Sequence, residues 1–134
     1  MADDDLMFKP TRTLLITGCS SGIGETAARL MRGRDWRVFA TARRSEDVER
    51  LKAQGFEAFR LDYEDPASIA EAVETALQRT GGRLDALFNN GAYAVPAAVE
   101  DVPVEALRAI FEANFFGWHD LTRRVIPVMR AQGR

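Results

Sequence analysis

The sequence predicts an α/β protein, a doubly wound parallel sheet with helices packed on both faces. Two observations carry that expectation. Short apolar runs rich in branched and aromatic residues alternate with stretches of helical period, as in successive β-α-β units. The first run, Thr13-Leu14-Leu15-Ile16, feeds directly into a glycine-rich turn, Thr17-Gly18-Cys19-Ser20-Ser21-Gly22-Ile23-Gly24, which opens onto the first helical stretch.

The first strand is expected over residues 11–17. A helix follows over about residues 23–31 and stops at Gly33, where glycine takes the left-handed conformation that ends helices. Strand two is expected over residues 37–41, after Trp36. Ser45 is a natural N-cap for a second helix, with Glu46, Asp47 and Glu49 in its early turns, Val48 and Leu51 directed at a core, and Gly55 at its end. Strand three, residues 56–61, leads to the clearest helix. Asp65 caps it, Pro66 suits its first position, and Ile69, Val73, Ala76 and Leu77 line one face up to Gly81-Gly82. Strand four is expected over residues 84–89. A loop through Val99 then gives way to a helical stretch capped by Asp101 and Pro103 and carrying Val104, Leu107, Ala109, Ile110 and Phe111. A last helix is expected over about residues 116–129, bent or ended by Pro127.

At 134 residues and 46% hydrophobic content, one core can bury roughly two thirds of the unfolded surface, so one domain is expected. Residues 1–10, beginning Met1-Ala2-Asp3-Asp4-Asp5, read as a flexible acidic tail, and residues 11–134 as a dinucleotide-binding domain. A net charge of -2 with scattered arginines argues against nucleic acid as a partner. Cys19 is the only cysteine, the start is acidic where a signal peptide would be basic, and no apolar run nears the ~20 residues of a bilayer span. A cytoplasmic protein with no membrane partner is expected.

The glycine turn carries the functional reading. Gly18 permits a tight turn, Gly22 lets the backbone approach phosphates, and Gly24 lets the helix pack on the strand. Free N–H groups at the helix start then face a pyrophosphate, so Thr17, Gly18, Ser20, Ser21, Gly22, Ile23 and Gly24 form a dinucleotide grip on a Rossmann-type sheet. No Gly-Lys-Ser/Thr occurs, which excludes the phosphate loop of nucleoside triphosphatases.

Three residues separate Gly18 from Gly22 and one separates Gly22 from Gly24, and this spacing behind Thr17 resembles the cofactor loop of the short-chain dehydrogenase/reductase family. The resemblance runs from Thr11 to near the chain's end. It implies an oxidoreductase that moves hydride to or from a carbonyl or alcohol carbon of a small-molecule substrate. NADP is the expected cofactor, because Ala42-Arg43 stands at the end of strand two where an acid would repel a 2′-phosphate, and Arg43 offers a planar fork of donors. Glu46 and Asp47 nearby keep NAD as the lesser alternative. Asp62 matches the family's adenine-binding aspartate, with turn formation as its competing role. Asn89-Asn90-Gly91-Ala92 resembles the family's Asn-Asn-Ala-Gly with its last two residues inverted, and the resemblance gives Asn89 the task of joining central strands beside the adenosine half.

Asn114 matches the helix-borne asparagine of the family's catalytic set, whose backbone carbonyl holds a proton-relaying water. His119 lacks metal-ligand spacing, so no metal is expected, and Cys19, though near a helix N-terminus that could lower a thiol pKa, occupies a variable place in the family pattern where a small residue suffices. The family's tyrosine four residues before a lysine has no counterpart, since Tyr63 and Tyr93 are followed at that distance by Ala67 and Ala97. The chain therefore reads as the cofactor-binding N-terminal half of a larger, homo-oligomeric reductase, its sheet truncated after about four strands and its catalytic half absent. Such a fragment is expected to be inactive alone, with Leu121, Val125, Val128 and Met129 short of neighbours on the last helix. The alternative is a non-catalytic dinucleotide-binding module or partner subunit.

Overall fold

A computed structural model describes residues 12–133; the expected tail over residues 1–10 and the first strand's Thr11 lie outside the described residues. Four parallel strands, β1 (Arg12–Ile16), β2 (Trp36–Ala42), β3 (Glu57–Arg60) and β4 (Ala86–Phe88), form one sheet in the order β3-β2-β1-β4. Between and after them run α1 (Gly22–Arg32), α2 (Ser45–Ala53), α3 (Pro66–Thr80), α4 (Val104–Phe111) and α5 (Gly117–Gln132). The doubly wound α/β class is thus as expected. Among the described residues no helix is long and apolar enough to cross a membrane.

Strand periodicity explains why both sheet faces are covered. Successive side chains point to opposite faces, so a strand apolar at every position needs a cover on each side. Leu14, Ile16, Val38, Ala40 and Ala58 pack with Ala28 of α1 and with Val48 and Leu51 of α2. On the other face Leu15 and Phe39 join Ile69, Val73 and Ala76 of α3 and Leu121 and Val125 of α5. In register, Leu14 pairs with Val38 and Ala86, and Ile16 with Ala40 and Phe88.

Asp65 caps α3 as expected, accepting from the N–H groups of Ala67 and Ser68, and Gly81 closes the helix at φ 66°. Several other expectations need correction. Gly33 is right-handed at φ -70° because its N–H still bonds the Arg29 carbonyl; the reversal is deferred to Asp35 at φ 63°. Ser45 lies inside α2, whose N-cap is Arg44, since the Arg44 carbonyl already accepts from Val48 N–H. Asp101 ends a short 3₁₀ turn, and Pro103 precedes α4 without a side-chain cap.

The two expected final helices are one continuous rod, joined by a π-helical turn over Glu112–Phe116. Pro127 sits inside α5 without ending it, because a missing N–H removes one rung of the ladder while the chain runs on to Gly133, left-handed at φ 77°. Leu121 and Val125 do not lack neighbours either, being 0% and 1% exposed beneath α3. Exposed apolar side chains along this rod include Val104, Leu107, Phe111, Phe115, Phe116 and Ile126.

This division of α5 can be measured by urea unfolding. Leu121→Ala is expected to lower stability by about 2–5 kcal/mol, as for a large core truncation, and Ile126→Ala to stay within about 0.5 kcal/mol. Equal losses would contradict the packing of α5 on α3.

Candidate functional site

The chain order reverses at β1, whose neighbours β2 and β4 are reached by crossovers on opposite faces, and such a switch point opens a crevice beyond the strands' carboxyl ends. Here the crevice is an open cleft whose walls include Gly18, Ser20, Arg43, Asp62, Gly91 and Tyr93.

Its floor hangs on Thr17. The Thr17 N–H makes a last ladder bond to the Phe88 carbonyl at 3.1 Å, after which β4 ends. The Thr17 hydroxyl oxygen then accepts from the N–H groups of both Asn90 and Gly91 at 2.9 Å. With its lone pairs so engaged, its hydrogen goes to Tyr63 Oη, 2.7 Å away, and Tyr63 in turn donates to Asn89 Oδ1 at 2.6 Å. Asn89 Nδ2 donates to Thr122 Oγ1 at 3.0 Å, and that hydroxyl donates to the Trp118 carbonyl at 2.7 Å. Trp118 Nε1 closes the circuit on the Gly91 carbonyl at 2.7 Å. Burial pushes the Tyr63 phenol well above its ordinary pKa, against the lowering effect of the Thr17 bond, so it stays a neutral donor.

The glycine turn rests on this floor. Gly18, at φ 66°, has no room for a side chain, since a Cβ there would lie 2.6 Å from Gly91 Cα. Gly24 likewise abuts the Gly18 carbonyl, so α1 starts flush against the turn. Gly22 differs. It is left-handed at φ 57°, yet a Cβ built on it would meet nothing within 4 Å, so the backbone there faces open space at the start of α1. The first N–H groups of a helix have no intrahelical acceptor, and those of Gly22, Ile23 and Gly24 bond no other backbone carbonyl among the described residues.

At the ends of β2 and β3 lie the charged walls. Arg43 is exposed, and its guanidinium makes no hydrogen bond or ion pair among the described residues. Asp62 forms a turn, Oδ1 accepting from Glu64 N–H at 3.0 Å, while Oδ2 pairs with Arg60 at 3.2 Å. The wall position and the turn coexist in one residue.

Thr17, Gly18, Ser20, Arg43 and Asp62 therefore share the cleft, and Ser21 through Gly24 continue from it into α1. The two asparagines differ from expectation. Asn89 spends its side chain on Tyr63 and Thr122, and the residue that ties the β4 end to the β1 end is Asn90, whose Nδ2 reaches the carbonyls of Thr17 and Gly18 at 3.2 and 3.3 Å. Adjacent residues leaving a strand point to opposite sides, so a shift of one residue exchanges their tasks. The side chain of Asn114, within the π turn, is committed to the Tyr93 backbone, donating to its carbonyl at 2.7 Å and accepting from its N–H at 3.2 Å.

Cys19 is fully buried, its thiol 3.4 Å from the Ile16 carbonyl, and burial pushes its pKa up to about 12. A small buried side chain at this place agrees with the reading that a small residue suffices there, and the desolvation outweighs the lowering effect of the Thr41 backbone. His119 is exposed on α5, and no group of metal-binding side chains occurs among the described residues. Sequence reasoning missed Tyr63, Asn90, Trp118 and Thr122. The inverted Gly91-Ala92 order was a signal for the first; nothing local marks Asn90 or the last two, which bond across 27 and 33 positions.

The sequence model described as short chain dehydrogenase matches residues 12–134. An uncharacterized oxidoreductase of Escherichia coli strain K12, YbbO, is 34% identical over 122 residues, 91% of this chain and 45% of that protein. The NADPH-dependent 1-acyldihydroxyacetone phosphate reductase of Schizosaccharomyces pombe is 33% identical over 105 residues, 78% of this chain and 36% of that one. Among solved structures, a short-chain dehydrogenase from Streptomyces avermitilis superposes with a TM-score of 0.84 at 36% identity, over 91% of this chain and 46% of that chain. An actinorhodin polyketide ketoreductase variant solved with NADPH gives 0.79 at 28% identity, over 96% and 49%. The chain spans about half the length of the curated relatives it matches.

Two expected outcomes follow from the floor. Thr17→Val keeps the shape but leaves two part-buried N–H groups without their acceptor, and should lower stability by about 1–3 kcal/mol in urea, whereas Thr17→Ser should recover most of it. The Cys19 thiol should resist a disulfide reagent at pH 8 in the native chain and react only as fast as the chain opens. Rapid native labelling would contradict its burial.

Proposed function

The chain belongs to the short chain dehydrogenase family, and from that premise we propose that its cleft binds NADP for an oxidoreductase acting on a small-molecule carbonyl or alcohol. The observation that carries this reading is the contrast among the glycines. Gly18 and Gly24 are packed without spare room, and Gly22 faces open space at the start of α1. A pyrophosphate suits that place, where unbonded N–H groups and the positive end of the helix dipole converge. A side chain at Gly22 would fill the approach and also strain a left-handed backbone.

Each wall residue then has a task. Arg43 receives the 2′-phosphate, and Asp62 borders the adenine end while its turn keeps the β3–α3 connection fixed. Asn89 supports the floor through Tyr63 and Thr122 in place of direct ligand contact. Asn114 serves the complete enzyme through its backbone carbonyl, since its side chain is occupied by Tyr93. When bound, the nicotinamide supplies or accepts the hydride. This sequence holds no tyrosine four residues before a lysine, so its own residues bind and orient the cofactor and supply no matching pair for the proton transfer that accompanies hydride movement. Support for the phosphorylated cofactor also comes from the relative named NADPH-dependent and the structural neighbour solved with NADPH.

Parallel fluorescence titrations with NADPH and NADH test the reading. One charge-assisted contact to phosphate contributes roughly 1.5–3 kcal/mol, so NADPH should bind about ten- to a hundredfold more tightly. Arg43→Ala should erase most of that preference and leave NADH nearly unchanged. Equal affinities in the unmodified chain would reject NADP as the cofactor.

A further inference from the structure

We propose that Tyr63 is the positioning residue of the dinucleotide cleft: its ring fixes the path of the loop after β4, and its hydroxyl orients the Thr17 hydroxyl that holds that loop to the glycine turn. The proposal rests on the cofactor reading above. Two glycines make the slot for this ring. Gly91 is not left-handed, so its backbone would accept any residue; what excludes a side chain is space. A Cβ at position 91 would stand 3.1 Å from Tyr63 Cε2 and 3.3 Å from Gly18 N. On the other side Gly117, at the start of α5, abuts Tyr63 Cβ, and a Cβ there would lie 2.7 Å from the Tyr63 carbonyl oxygen and 2.9 Å from Cδ1.

The ring therefore explains why glycine precedes Ala92 in this loop. It also transmits position. Gly91 is held at both backbone atoms, its N–H by Thr17 Oγ1 and its carbonyl by Trp118 Nε1, and its Cα lies directly against the space where a Gly18 Cβ would be. Any residue at 91 that moved away from Tyr63 would press on Gly18, the residue that starts the phosphate turn. The hydroxyl acts at the same point. Without it, Asn89 Oδ1 loses its donor, and the Thr17 hydrogen keeps only the Phe88 carbonyl at 3.4 Å, leaving the Thr17 lone pairs loosely aimed at Asn90 and Gly91.

The test places Gly91→Ala in three versions of the 134-residue chain: unmodified, Tyr63→Phe and Tyr63→Val. Overpacking should lower the urea midpoint by about 1 M in the first two, where the ring remains, and by less than about 0.3 M with valine. An equal drop in the unmodified and valine backgrounds overturns the role of the ring. Should the valine variant fail to fold, Tyr63→Phe alone decides. It should shift the backbone amide resonances of Asn90 and Gly91, leave those of α2 in place, and weaken NADPH binding about fivefold. Lower stability with unchanged amide shifts and unchanged NADPH affinity would make Tyr63 merely structural and overturn the proposal. Absence of NADPH binding by the unmodified chain, with the Gly91→Ala costs still differing between backgrounds, would instead reject the cofactor reading and retain the coupling.

Discussion

The Thr17 hydroxyl is the interaction on which the rest of the site depends. A strand of three residues, Ala86–Phe88, gives β1 little backbone pairing, and beyond Phe88 the chain turns away with two N–H groups still to satisfy. Buried amides without partners are costly, so the turn exists only because a side chain at the end of β1 takes over from the ladder. The other end of the pair is fastened in a similar way, with Asp85 Oδ2 accepting from Thr13 N–H at 2.8 Å and from its hydroxyl at 3.1 Å. Side chains thus clamp a short strand that backbone bonds alone would hold weakly.

The same arrangement sorts charge by depth. Under the cleft the groups are neutral: Tyr63 and Cys19 are both pushed upward by burial, and asparagine amides and backbone atoms complete the bonding. Charge lies at the rim, where Arg43, Asp62, Glu64 and Arg60 meet solvent. A neutral, bonded floor, with the N–H groups of Gly22 to Gly24 and the Arg43 guanidinium unpaired among the described residues at its edges, favours a long anionic ligand with an apolar or aromatic end.

The alternation of strands and helices, the glycine turn and the Asp65 cap were legible because each is governed by neighbouring residues: hydrophobic period, φ at glycine, an acid two and three residues before free N–H groups. The Tyr63 circuit was not, because it joins positions 46, 26 and 33 apart that only the fold brings together. The choice between Asn89 and Asn90 turned on a single residue of strand-end geometry that no pattern encodes. Pro127 suggested a bend or an end in what is a continuous rod, since its local breaking tendency was outweighed by the burial of Leu121 and Val125 under α3. Gly33 failed as a left-handed stop for a related reason: Asp35, two residues later, absorbs the reversal.

Backbone amide mapping of the chain with NADPH is the most direct measurement of whether this edge of the sheet is a dinucleotide site. Saturable shifts concentrated from Gly18 to Gly24, at Arg43 and Asp62, and along Asn90 to Ala92 are the expected result. Shifts confined to the opposite edge, around Trp36, Gly55 and Phe56, or no shifts at millimolar NADPH, would contradict it.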